Sequence, residues 1–419
     1  YGIPVAGYAA IALLLAGAML LLPPLAIRAL RTASLRLPLP HALGLARLLA
    51  SPRQVATSMS AILISFSLVV AMMLMIHSFR SSLDVWLGQM LPADLYLRAA
   101  AGGDTADLPP EVQHRIAQLP GVRRVEFLRS QQLLLAADRP PVTLLARDPG
   151  NGGFAQTLPL VTAALPPPPG APPAVWISEL VADVFDLRPG DTLSLPIGEP
   201  PQPWTVAGIW RDYARQNGAL VIDRADYIRL TGDRRANDAA LWLDSGDTAS
   251  TVADAVRDAM GPEASPEIAT AGDIRRLSLG IFDRTFAVAW ALQIAALGIG
   301  LLGVALSFGA QALARRREFG MLRHLGMTRR EIGVLLAAEG AFSGAIGALF
   351  GLLTGSAIGL ILIRIINRQS FHWSMELSVP WLLLPAALAG VVFCAAVAAR
   401  AGAAFGLRRD MVRAVHEDW

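Results

Sequence analysis

Five long apolar runs and one long polar interval set the pattern of this chain. The runs lie at about residues 5–27, 55–76, 286–313, 332–363 and 380–404, and each has roughly the 20 residues that an α-helix needs to cross a bilayer core. Between the second and third runs, residues 92–276 change to alternating, turn-rich sequence, as in a water-exposed domain of strands and short helices. The helical period of the second run continues through Ser78, Phe79, Leu83, Val85 and Trp86, and residues 274–282 lead back to the third run. Both read as stalks. The expected fold is therefore an α-helical integral membrane protein of about five transmembrane helices with a two-lobed α+β extracytoplasmic domain.

Inside the domain, residues 94–99 predict a strand, and residues 108–127 predict a Pro-started helix, a glycine turn and a second strand. Two more strand candidates follow at about 132–138 and 141–148, and the Pro-rich stretch 165–173 is expected to separate the lobes as a stiff linker. The second lobe predicts a helix, a Gly190-Asp191 turn into a strand, a strand ending at Gly208-Ile209, a later strand pair and a closing helix at 251–260. Ahead of the second run, Leu43, Ala46, Leu49 and Ala50 recur at helical spacing beside Arg47 and Arg53, the pattern of a short interfacial helix.

Charge orients these elements. Arg28, Arg31 and Arg36 follow the first run, and Arg408, Arg409 and Arg413 follow the last. The reversal between the third and fourth runs carries Arg315, Arg316, Arg317, Arg323, Arg329 and Arg330. Short basic segments stay cytoplasmic, and all three clusters fall on one side, which puts Tyr1 and residues 92–276 on the other. Within the reversal, Gly326 breaks the helix, and Thr328 with Glu331 three residues later has capping-box spacing for a new one. A mere topology anchor needs only charge. Here Glu318 and Glu331 stand among the arginines, with Phe319, Met321, Leu322, Leu325 and Met327 between them, and that mixture suits a docking surface.

The basic residues, Glu318, Met321, Leu322, Arg323, Leu325, Gly326 and the run Met327, Thr328, Arg329, Arg330, Glu331, Ile332 resemble the FtsX-like permeases, the membrane subunits of MacB-type and Lol-type ABC transporters. The order of elements around Gly190-Asp191-Thr192-Leu193 resembles a MacB-like periplasmic domain. The resemblance implies that residues 315–331 couple to a separate cytoplasmic ABC ATPase, which would hold ATP and magnesium; no cofactor is expected in this chain. It also implies a second permease half, fused or separate, contact with membrane lipid, a periplasmic carrier or adaptor protein, and residence in a bacterial inner membrane. The expected activity is export or extraction of a lipid, lipoprotein, peptide or hydrophobic compound. The alternative is an FtsX-like signalling module that activates an extracytoplasmic hydrolase. The expected divisions are residues 1–36, 37–91, 92–276 and 277–419. The first apolar run, which lacks a basic leader, is extra to the minimal pattern and reads as the last helix of a preceding half in a duplicated permease.

Composition narrows the classes further. Hydrophobic residues make up 54% of the 419 and charged ones 16%, and mean hydropathy is +0.47, as for a membrane protein. The net charge of +3 is explained by topology, so no nucleic-acid partner is expected. Every basic residue other than histidine is arginine. With no lysine, the chain lacks the residue of a phosphate-binding loop or a Schiff base, so any ATP hydrolysis belongs to a partner. Cys394 is the single cysteine, which excludes an intrachain disulfide. The six histidines, His41, His77, His114, His324, His372 and His416, show no metal-ligand spacing, and no nucleophile-elbow sequence occurs, so no catalytic or metal residue is assigned.

In the fourth run Gly340, Gly344, Gly347, Gly351, Gly355 and Gly359 form a small-residue stripe, read as a helix-packing face whose partner helix spacing alone leaves open. Glu339 is the one carboxylate well inside an apolar run, about 10 Å past Ile332 by helical rise, and is expected to pair with an arginine of the reversal. Gln293 is the other polar group in a span. His372 and Trp373 are read as part of an aromatic interface belt, and Asp183 with Asp186 as a solvated helix face.

Overall fold

The computed structural model describes residues 4–34, 52–99, 106–150, 152–244, 248–262, 264–314 and 316–409. The interfacial helix expected around Leu43 to Ala50, the basic residue Arg315 and the tail arginine Arg413 lie outside these. The chain forms two compact units, one of residues 1–79, 284–370 and 375–419, the other of residues 80–283 and 371–374.

The first unit is helical. Helices α1 (Val5–Ser34) and α2 (Pro52–Met90) are followed, after the strand-rich region, by α7 (Ala271–Ala314), α8 (Arg316–His324), α9 (Arg329–Ile361) and α10 (Leu383–Arg409). Among the described residues, five helices are long and apolar enough to cross a membrane, with candidate spans Val5–Arg28, Met59–Met90, Ala271–Ala314, Arg330–Phe371 and Leu383–Ala404. A π-helical turn, Leu362–Ile366, extends α9. Ile62, Phe66 and Val70 of α2 pack with Val304 and Phe308 of α7, Ala348 of α9 and Ala395 of α10. Leu22 and Ala26 of α1 meet Met59 and Leu63 of α2 beside Phe342 and Phe350 of α9. Hydroxyls in these helices are met locally: Ser67 Oγ donates to the Ile64 carbonyl at 2.9 Å, and Ser343 Oγ to that of Gly340 at 3.1 Å.

Among the described residues, the second unit is built on nine strands: β1 (Leu95–Arg98), β2 (Val122–Leu133), β3 (Val142–Arg147), β4 (Ala174–Ser178), β5 (Thr192–Leu195), β6 (Gln202–Trp210), β7 (Ala219–Asp223), β8 (Asp238–Leu243) and β9 (Glu267–Thr270). Helices α3 (Pro110–Ala117), α4 (Glu179–Phe185), α5 (Arg224–Thr231) and α6 (Ala249–Met260) lie between them. The strand order is β5-β6-β4-β7-β3-β2-β8-β1-β9.

Strand β2 organises this unit. Its first part, Val122 to Leu128, pairs antiparallel with β8; its second, Arg129 to Leu133, pairs antiparallel with β3. At the change of partner the buried Asn237 accepts from the Ser130 N–H at 2.8 Å and donates through Nδ2 to the Ala106 carbonyl at 3.2 Å. Each lobe then fills its own core. In one, Leu95, Leu97, Phe127 and Leu241 pack with Ile116 of α3 and Val252 and Val256 of α6. In the other, Leu144, Ile177, Val206 and Leu220 surround Trp204 and Tyr227.

This partition corrects the expectation for residues 165–173. The Pro-rich stretch does not separate the lobes: it runs along β6, with Leu165 N–H donating to the Ala207 carbonyl at 2.7 Å and Thr205 N–H to that of Pro173 at 2.9 Å. Proline supplies no N–H, so such a stretch suits a position beside a strand whose bonds are mostly made elsewhere. The first lobe is instead discontinuous in sequence, and the second is inserted within it. The strand expected up to about residue 127 runs on to Leu133 as β2, the strand expected at about 132–138 is met only at its first two residues, which end β2, and β4 and β9 were not foreseen.

Local chemistry fixes the helices between strands. Ser178 Oγ caps α4 and also accepts from the Ala219 N–H at 3.0 Å. Asp223 caps α5 by accepting from Ala225 N–H at 2.8 Å, and Gly232, with φ of 70°, ends that helix. The Gly190-Asp191 segment is a turn: Gly190 has φ of 99°, and Asp191 Oδ2 accepts from the Arg188 N–H at 2.7 Å.

Candidate functional site

The basic reversal folds as α8, a tight turn and the start of α9. Gly326 has φ of 98°, a conformation that a side chain would strain. Thr328 then caps α9 in both directions: its Oγ1 accepts from the Glu331 N–H at 3.2 Å, and its own N–H donates to Glu331 Oε2 at 2.7 Å. The capping box is complete.

The apolar residues of this segment divide by direction. Phe319 is buried against Ala312 of α7, Ile332 and Leu336 of α9 and Ala403 of α10, with Met327 at the margin. It anchors α8 to the other helices, so it does not belong to an outward contact face. Met321 and Leu325 are 66% and 82% exposed. Glu318, His324, Gly326, Thr328, Arg330 and Glu331 are exposed around them. Arg316, Arg317, Leu322, Arg323 and Arg329 fall on α8 and α9. The outward surface therefore joins two large apolar side chains to charges of both signs, which is what a specific protein contact needs.

Below the reversal, the glycine stripe of α9 meets two helices of this chain. A Cβ on Gly344 would come 2.7 Å from that of Ala395 on α10, and Gly340 also faces Ala395 and Ala399. Farther along, a Cβ on Gly347 would lie 2.9 Å from the Met59 carbonyl oxygen, on Gly351 3.2 Å from that of Leu63, and on Gly355 2.5 Å from that of Ser67. Gly359 faces Leu74 and the Ala71 carbonyl. The stripe thus lets α9 approach the α2 backbone over three turns. Glu339 is buried on α9. Gln293 is buried on α7, and neither its amide oxygen nor its nitrogen bonds to any described residue.

Two family models cover most of the chain: the FtsX-like permease C-terminal model matches residues 290–409, and the MacB-like periplasmic core domain model matches residues 55–259. The chain carries an FtsX-like permease domain beside a MacB-like periplasmic core domain. It is 29% identical over 361 residues to the uncharacterised ABC transporter permease protein Rv0987 of Mycobacterium tuberculosis, a match that takes 80% of this chain and 41% of the relative. The permease therefore spans less than half the length of that relative. Among solved structures, the periplasmic region of MacB from Actinobacillus actinomycetemcomitans matches 46% of the permease and 94% of that chain, at 12% identity and a TM-score of 0.34. The extracellular domain of the noncanonic ABC-type transporter YknZ from Gram-positive bacteria matches 42% of the permease and 99% of that chain, at 13% identity and a TM-score of 0.30. The family is one of permeases rather than enzymes.

Within the permease's second unit, residues 371–374 take a position that sequence reasoning missed. Ser374 N–H donates to Glu179 Oε2 at 3.0 Å, Tyr213 Oη donates to the Ser374 carbonyl at 2.8 Å, and Arg211 Nη2 donates to Ser374 Oγ at 3.1 Å. His372 Nδ1 lies 3.4 Å from Asp183 Oδ2. Trp373 stands edge-on to Tyr213 with centroids 5.3 Å apart and is stacked with Phe371. His372 and Trp373 are thus built into the strand-rich unit, which replaces the interface-belt reading, and Asp183 has a partner. The one available signal was the density of aromatic and hydrogen-bonding side chains in so short a connection.

Proposed function

We propose that this permease couples ATP hydrolysis by a separate cytoplasmic ABC ATPase to movement of its strand-rich unit, exporting or extracting a lipid, lipoprotein, peptide or hydrophobic compound. The observation that carries the reading is the division of residues 316–331: Phe319 fixes α8 to the membrane helices, while Met321, Leu325, Glu318, Arg330 and Glu331 face outward. A partner that engages this face moves the helices with it. Helix α7 begins directly after β9 and runs unbroken for 44 residues to the reversal, about 65 Å of hydrogen-bonded helix. Such a helix transmits axial displacement without a hinge. ATP and magnesium would be held by the ATPase. A second permease half, fused or separate, would complete the unit, a proposal supported by the greater length of the mycobacterial relative. The basic clusters favour an inner-membrane orientation with the strand-rich unit outside, within reach of a periplasmic carrier or adaptor.

The test is co-purification with ATPase subunits from the same source, comparing the parent with Leu325→Glu/Arg330→Glu. Loss of a stable complex, with the membrane unit still folded by thermal melt, is expected. Retention of the complex by the double variant would sink this docking face, and a parent that binds no ATPase would return the arginines to topology anchors.

A further inference from the structure

The lobe that carries β1 has one sheet face covered by α3 and α6 and another that is open. In register, Tyr96 of β1, Ala240 of β8 and Glu126 of β2 form one cross-strand row, and Arg98, Asp238 and Leu128 form the next. Because side chains alternate along a strand, all six share the face opposite Leu95, Leu97, Phe127 and Leu241. Ala240 is the small member of its row, and the space above it is not filled. A cavity of about 600 Å³ opens there, roofed by Trp86, Leu87 and Met90 of α2 and by Leu277 of α7. A second cavity of about 440 Å³, edged by Arg124, Gly150 and Gln156, adjoins it, and Glu126 and Arg147 line both.

Among the described residues, Arg147 is held only by a long ion pair. Its closest ionic contact is Glu126 at 3.8 Å, and Glu126 is already engaged by Arg124. No hydrogen bond joins the Arg147 guanidinium to any described residue, although its side chain is 80% covered, 20% remaining exposed. Other charges of the cavity are matched. Asp238 accepts from Arg98 at 3.0 Å, Arg215 donates to Asp212 at 3.1 Å, and Asp273 is held by Arg276 and Thr270. Glu267 lies 4.0 Å from Arg98. Tyr96 offers a further donor: its oxygen accepts from Ala93 N–H at 2.9 Å, which leaves the phenolic proton. Burial pushes that phenol up to about 12, so the proton is kept at any physiological pH.

We propose that this pair of cavities binds a single-chain amphiphile with an anionic head, a carboxylate or a phosphate on an alkyl chain. The chain lies along Trp86, Leu87, Met90 and Leu277, over Ala240, and the oxyanion receives the Arg147 guanidinium and the Tyr96 hydroxyl. The volume is that of an ordinary small-molecule site, and a mostly apolar wall with a few convergent donors is its usual composition. Guanidinium donors already stripped of much of their water bind an oxyanion with little further desolvation cost. The site makes no demand on coupling to an ATPase, so it stands or falls on binding alone.

The experiment uses the full chain in lipid nanodiscs with dansyl-aminoundecanoic acid, reading energy transfer from tryptophan against empty nanodiscs. Saturable transfer is expected, displaced by decanoate if the head is a carboxylate and by decyl phosphate if it is a phosphate. Decanol should compete about tenfold more weakly. Arg147→Gln should weaken binding about tenfold with an unchanged melt, and Ala240→Leu should reduce it by filling the floor. Transfer no different from empty nanodiscs, equal competition by decanol, displacement by inorganic phosphate alone, or unchanged binding in both variants would each overturn the proposal.

Discussion

Arg275 grips Asp84 with two parallel hydrogen bonds, Nε to Oδ1 at 2.8 Å and Nη2 to Oδ2 at 2.7 Å. The two residues lie 191 positions apart in sequence and join α7 to α2. Arg80 and Asp283 make a second link between the same helices at 3.0 Å. The stalks predicted from apolar spacing are therefore fastened to each other by charge.

Because Arg275 and Asp84 are 48% and 35% exposed, solvent screens them and each link contributes little alone. A double-mutant cycle of Asp84→Asn and Arg275→Gln, read by thermal melts of the purified permease, should return a small favourable coupling. It should shrink in 1 M salt, as exposed pairs are screened there. A coupling of zero at low salt would show the pair to be decorative.

Gly355 has the least room among the α9 glycines that face α2. Gly355→Leu should destabilise the membrane unit by about 2 kcal/mol or more, because the side chain must displace the Ser67 carbonyl or push α9 off α2. Gly390→Ala, on α10 with nothing near the added methyl, should leave the melt in place. Equal effects from the two would sink the close-approach reading.

Tyr213→Phe removes the hydroxyl that holds the Ser374 carbonyl and should cost about 1 kcal/mol. Hydrogen exchange reads it locally: the Ser374 amide, which donates to Glu179, should exchange faster in the variant. Amides of β4 and β7 should keep their protection. Unchanged exchange at Ser374 would mean that the segment is held without the tyrosine.

Asp233 gives the strand-rich unit a pH dependence. Burial raises its carboxyl, but hydrogen bonds from Arg235 and the charge of Arg129 outweigh that, and the net pKa lies below the usual carboxylate value. A depressed folded pKa stabilises the fold fully above the unfolded value of about 4, and the benefit is lost as pH falls through the folded value. Asp233→Asn should therefore destabilise at pH 7 and converge with the parent as pH falls through the depressed folded value. Melts across that range check the sign; a constant difference would contradict it.

What was legible in the sequence was local. The apolar runs gave all five spans, and Thr328 with Glu331 marked the start of α9 because a capping box needs only a spacing of three. Gly190-Asp191 marked its turn for the same reason. The lobe boundary was not legible, because β2 changes partner at Arg129 without any change in its own pattern, and while its partner β3 follows it directly, its partner β8 comes only after the whole inserted lobe. Residues 371–374 were missed since their partners, Asp183, Glu179 and Tyr213, are more than 150 positions away. For the reversal, periodicity identified which residues were apolar, but not that Phe319 turns inward and Leu325 outward. That division depends on where α7, α9 and α10 stand. Nor did any pattern show the cavity at Arg147, which exists because Ala240 is small where its row neighbours are large.

The double membership of β2 also fixes an order of events during translation. The inserted lobe, from Arg129 to Thr231, is complete once α5 has left the ribosome. β1, however, pairs only with β8 and β9, which are made more than 130 residues later. Until Thr270 emerges, Leu95, Leu97 and Phe127 have no sheet to close over them, and the leading edge of β2 is an unpaired strand. The nascent chain thus carries a finished lobe inside an unfinished one, and a translational pause between residues 232 and 266 would prolong the interval in which that edge can pair with another chain.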